Sequence, residues 1–145
     1  MLTAAALIIF VAESQIPPVV PIVGVKLGLA NVITLVALYL LSPREAFFIS
    51  IIRIVLGSIF TGHLMSFFFS LAGGLLCYAA MLFASKIFSK QQIWAVSVLG
   101  AIAHNAGQLC VALFMLGRSE ILWYSPVLLL SALITGAFTG VTAQL

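Results

Sequence analysis

No aspartate occurs anywhere in the chain, and its three acids, Glu13, Glu45 and Glu120, fall in separate segments. Hard divalent cations need several oxygen ligands converging on one point, so a carboxylate cage for magnesium pyrophosphate has nothing to be built from. Charge of either sign is scarce: 6% of residues are charged, against about 25% in soluble domains. The formal net charge of +3 is too small and too scattered for a nucleic-acid surface. No GxxxxGK[ST] phosphate loop occurs, so any ATP must be handled by another chain. Cys77 and Cys110 lack CxxC spacing and His63 and His104 lack ligand spacing, which argues against redox, metal and cofactor chemistry. Ser58, Ser66 or Ser70 could be paired with His104 on paper, but no nucleophile motif supports it. The chain is therefore not expected to be an enzyme.

What fills the sequence is apolar. Hydrophobic residues make up 64%, and mean hydropathy is +1.33. This composition predicts an all-α integral membrane protein, because exposed amides cannot be satisfied in hydrocarbon and the runs lack the two-residue alternation of barrel strands. At about 20 residues per span, residues 1–145 form one domain of six transmembrane helices. Punctuation by proline, glycine and charge places them at Leu2–Ile16, Leu27–Leu41, Glu45–Phe60, Leu64–Phe88, Ile93–Leu116 and Tyr124–Ala143. Pro17, Pro18 and Pro21 cannot continue a helix, so a re-entrant or lid-like loop is expected there. The first span has no basic flank or small-residue cleavage site and is not expected to be removed. Arg44, Lys86 and Lys90 lie on the second and fourth connections, while Lys26 and Arg118 lie on the others. The positive-inside rule then places both termini in the cytoplasm of a multi-pass cell-membrane protein, with Trp94 at the inner face and Trp123 and Tyr124 at the outer.

Arg53 stands near the middle of an apolar span. A guanidinium at bilayer depth costs roughly 2.5–3.5 kcal/mol on insertion scales, so it turns toward a protein interior, a partner or a ligand. His104 and Asn105 occupy the middle of the fifth span, with Gln108 one turn from His104 on the same face. Lys26 is expected at the outer mouth of the second span, Asn31 a turn deeper and Glu13 at the same level. Lys26, Asn31, Arg53, His104, Asn105 and Gln108 thus become candidate substrate contacts in a pocket opening outward. Structural alternatives stand beside each: Arg53 tied to Glu13, the amides and His104 as interhelical hydrogen bonds, and Lys26 snorkelling to the interface. Small residues predict close packing at Gly136 and Gly140, at Ala103 and Gly107, and along Ala4, Ala5, Ala6 and Ala12. Gly73 with Gly74 is expected to interrupt the fourth span.

The segments GVKLGLAN from Gly24, SPREAF from Ser42, RIVLGSIFTG from Arg53, FSLAGGLL from Phe69 and GAIAHNAGQL from Gly100 together resemble the Gx transporter family. That family is also labelled heptaprenyl diphosphate synthase component I, and it is similar to the substrate-binding S components of energy-coupling factor (ECF) transporters. The resemblance implies a six-helix S component that captures a small molecule from outside, powered by a transmembrane coupling subunit and two cytoplasmic ATPase subunits. By position in the matching motifs it implies the same six contact residues. The prenyl-synthase label implies an isoprenoid-related ligand, with a phosphorylated one among the candidates. It also leaves open a non-catalytic membrane subunit or regulator of a prenyl diphosphate synthase.

Overall fold

The computed structural model describes residues 1–16, 26–62 and 64–144; the proline-rich break at Pro17, Pro18 and Pro21, and His63, lie outside them. Among the described residues six α-helices follow one another: α1 (Leu2–Ser14), α2 (Asn31–Leu40), α3 (Pro43–Thr61), α4 (Leu64–Ile87), α5 (Ile93–Leu116) and α6 (Ser125–Gln144). A single 3-10 turn, Lys90–Gln92, precedes α5, and a 3-10 segment, Ser119–Tyr124, precedes α6. No strand occurs among the described residues.

Local chemistry fixes the helix ends. Ser42 caps α3, its Oγ accepting from the Glu45 amide at 3.3 Å and donating to Glu45 Oε2 at 2.8 Å. Pro43 occupies the first turn, where its missing amide costs nothing, so α3 starts before the expected Glu45. Gly62 and Gly117 adopt φ of +68° and +62° at the C-terminal ends of α3 and α5, the left-handed conformation that lets a chain leave a helix. Ser89 and Gln92 form a reciprocal capping box ahead of α5.

Two expectations are corrected. Helix α2 begins at Asn31 and not at Leu27, because Gly28 has φ +80°, outside helical space; the amides of Gly28 and Ala30 are held by the Glu13 carboxylate. Lys26 therefore lies on a non-helical lead-in to α2. Helix α4 runs unbroken through Gly73 and Gly74. There the glycines provide closeness, not a break: a Cβ on Gly73 would lie 2.8 Å from the His104 ring, and one on Gly74 2.6 Å from Ile54 Cδ1.

By length and composition, Leu64–Ile87, Lys90–Leu116 and Ser119–Gln144 can cross a membrane; α1 and α2 are shorter apolar helices. The most extensive packing joins α4 to α5 and α5 to α6. Gly136 and Gly140 seat α6 directly on the α5 backbone, where added Cβ atoms would lie 2.7 Å from Val98 Cα and 2.5 Å from Trp94 Cα. This small-residue pair works within the chain. Ser97 and Thr139 add a 2.8 Å hydroxyl hydrogen bond across the same seam. Leu35, Cys77, Met81 and Val96 fill the space between α2, α4 and α5, while Ala6, Ala37 and Ala46 let α1, α2 and α3 approach one another. Ile134, Phe138 and Val141 remain exposed on α6, which suits a lipid-facing surface. Trp94 and Trp123 are exposed at opposite ends of the α5–α6 pair.

Candidate functional site

Arg53 is buried at 3% exposure in the middle of α3. One terminal nitrogen, Nη2, donates to Asn31 Oδ1 at 3.1 Å and to Ser50 Oγ at 3.4 Å. Both acceptors are neutral, and Nε has no partner among the described residues. Because Asn31 Oδ1 accepts from arginine, its Nδ2 must be the free end of the amide; it too is buried without a partner among the described residues.

Glu13 does not serve as the direct partner of Arg53. Its two oxygens accept from the main-chain amides of Gly28 and Ala30, so a carboxylate from α1 holds the lead-in to α2. The first two amides of α2 bond instead to the Gly28 and Leu29 carbonyls. Glu13 is the sole acid in the first span, which is the signal the sequence carries for its place here.

Lys26 lies over the Phe10 ring, with Nζ 3.4 Å from the centroid. That nitrogen is buried and has no hydrogen-bond partner among the described residues. Burial pushes the Lys26 ammonium down to about 8, with Glu13 opposing the fall and Arg53 adding to it. Phe10 itself fits because Gly57 on α3 has no Cβ, which would overlap the ring.

Gln108 joins this lead-in to α5. Its Oε1 accepts from the Lys26 amide at 3.3 Å, and its Nε2 lies 3.0 Å from His104 Nε2. Since the amide oxygen is engaged by a donor, Gln108 Nε2 donates, and His104 Nε2 must accept. A neutral His104 therefore carries its proton on Nδ1, which lies beside Gly73 without a hydrogen-bond partner among the described residues. Ser70 Oγ on α4 is likewise unpartnered among them.

Glu13, Lys26, Asn31, Arg53, Ser70 and His104 line one hollow of about 10 Å³, a volume that admits about one water. Gly28 lines it as well: a Cβ there would lie 2.8 Å from Asn31 Nδ2 and 3.0 Å from His104 Cδ2. Phe10, Gly28 and Ser70 were not anticipated as site members.

From residue 2 to residue 145 the sequence matches the family described as heptaprenyl diphosphate synthase component I. The chain belongs to that family. No curated protein and no solved structure matches it.

In this component I chain, Asn105 stands apart from the other five sequence candidates. Its Nδ2 donates to the Leu128 carbonyl on α6 at 2.7 Å. It lines a different cavity, of about 160 Å³, walled by Leu109, Leu128, Leu129 and Ala132 between α5 and α6. Successive helical residues are rotated by about 100°, so His104 can meet α4 and the lead-in to α2 only if its neighbour turns to α6. The structure therefore brings Lys26, Asn31, Arg53 and His104 to one hollow with Gln108 bonded behind them, and it does not bring Asn105 to that hollow.

Proposed function

We propose that the chain is the membrane-embedded substrate-binding (S) component of an ECF-type uptake transporter, taking a small molecule from outside into the hollow around Arg53. The reading rests on one observation: Lys26 Nζ, Asn31 Nδ2, Arg53 Nε, Ser70 Oγ and His104 Nδ1 are buried without hydrogen-bond partners among the described residues, and their side chains line one hollow. A buried unsatisfied polar group costs about 1–3 kcal/mol; five around one point are a standing penalty that a ligand would relieve. Such clusters are better suited to binding than to holding helices together.

In this proposal all six helices enter the bilayer, and the charge distribution orients both termini to the cytoplasm. With no phosphate loop in the sequence, energy comes from a transmembrane coupling subunit and two cytoplasmic ATPase subunits. The chain catalyses no reaction itself. A second reading is favoured by the family's own description: a non-catalytic membrane subunit or regulator of a prenyl diphosphate synthase, whose catalysis resides in a soluble partner.

Affinity purification of the full chain from gently solubilised membranes separates the two. Recovery of a coupling subunit with ATPases, and ATP-dependent uptake in vesicles, is the expected result. Recovery of a soluble prenyltransferase without ATPases would overturn transport in favour of the second reading.

A further inference from the structure

Resting on the binding reading above, we propose that the group recognised in this hollow is a phosphate oxyanion held between Arg53 and Lys26. Hydrogen-bond bookkeeping carries the assignment. The free valences of Arg53 Nε, Lys26 Nζ and Asn31 Nδ2 are donors only, and the tautomer fixed by Gln108 makes His104 Nδ1 a donor as well. Ser70 Oγ can take either role. The one strong acceptor nearby, Glu13, already receives the amides of Gly28 and Ala30 through its two oxygens. A ligand completing this set must accept several hydrogen bonds and donate few. A neutral carbonyl offers two lone pairs; an oxyanion offers two or three oxygens and matches the planar fork of a guanidinium.

Charge points the same way. Two cationic side chains, Lys26 and Arg53, face a single carboxylate, and Arg53 makes its hydrogen bonds to neutral oxygens. An anion offsets the excess positive charge in surroundings where an unmatched charge is costly. About 10 Å³ cannot contain a phosphate, so the hollow has to widen on binding. Among the described residues, main-chain hydrogen bonds to Glu13 and Gln108 and the seat of Lys26 on Phe10 hold the lead-in to α2 to the helices.

The test uses the purified full chain in phosphatidylcholine nanodiscs, with binding read as a saturable rise in unfolding temperature at fixed ionic strength. Inorganic phosphate and isopentyl phosphate are the anionic probes, and isopentyl alcohol is the neutral counterpart. Expected is stabilisation by at least one phosphate and none by the alcohol, with affinity reduced ~10-fold or more in Arg53→Gln and in Lys26→Gln. Lys26 lies outside the helices, so its variant keeps the test informative if Arg53→Gln fails to fold. Replacing part of the lipid by phosphatidylglycerol separates the sources: a lipid headgroup as occupant would raise the baseline stability and abolish the response to added phosphate, again through Arg53 and Lys26. Equal stabilisation by the alcohol, unchanged phosphate affinity in the folded variants, or no response to either phosphate or anionic lipid would overturn the oxyanion assignment. The transport reading would fall separately, by the co-purification result.

Discussion

Gln108, in the middle of α5, holds the main chain of Lys26 through a 3.3 Å hydrogen bond although 82 residues separate them. The same amide fixes the tautomer of His104 at 3.0 Å. One fully buried side chain thus positions both a ring and a loop of the candidate site. Replacing it by leucine leaves the Lys26 amide and His104 Nε2 without their partner. Gln108→Leu is expected to lower stability by about 1–3 kcal/mol and to speed hydrogen exchange at the Lys26 amide. Unchanged exchange there would show that the hydrogen bond does not hold the lead-in.

Glu13 uses two oxygens for two amides, whereas glutamine offers only one acceptor. Glu13→Gln should therefore free one of the Gly28 and Ala30 amides and cost about 1–2 kcal/mol. Thermal unfolding combined with exchange at those two amides measures both effects.

Lys26 gives a pH dependence of defined sign. Its ammonium ordinarily titrates at 10.5 and is pushed down to about 8 in the folded chain. Between those values the unfolded chain binds the extra proton, so stability should rise as pH increases from about 8 toward 10.5 and stay flat with respect to this group below that window. Phosphate affinity should move oppositely, falling above about pH 8 as the charge beside Arg53 and Glu13 is lost. Both slopes should diminish in Lys26→Met.

The α4–α5 contact allows little extra volume. A Cβ on Gly107 would lie 2.7 Å from the Ala72 carbonyl oxygen, which belongs to backbone and cannot rotate away. Gly107→Ala is expected to cost about 1–3 kcal/mol by overpacking, read as a lowered unfolding temperature in detergent.

Asn105→Asp removes the donor to the Leu128 carbonyl and sets a carboxylate against it. Stability should fall, while phosphate affinity at the hollow around Arg53 should change less than twofold. A large loss of affinity in folded protein would return Asn105 to the site.

Composition alone announced an apolar helical chain, because hydrocarbon tolerates a backbone only when every amide is bonded within its own segment or a closed sheet. Spans four to six were legible within a residue or so at most ends, where Gly117 and the Ser89 cap punctuate long apolar runs. Arg53, His104 and Gln108 stood out because polar groups in such runs are few. The start of α2 was not legible: Leu27 through Ala30 suit a helix locally, and the left-handed Gly28 whose amide Glu13 holds from another helix becomes visible only in the fold. The division between His104 and Asn105 was equally hidden, since a sequence lists neighbours but their faces acquire meaning only once α4 and α6 have taken their sides of α5. The amino-acid sequence by itself determined an apolar helical chain and the inventory of polar groups. Tertiary structure decided which of those groups share a hollow, because hydrogen-bond partners 15 to 82 residues apart meet only after the helices have packed.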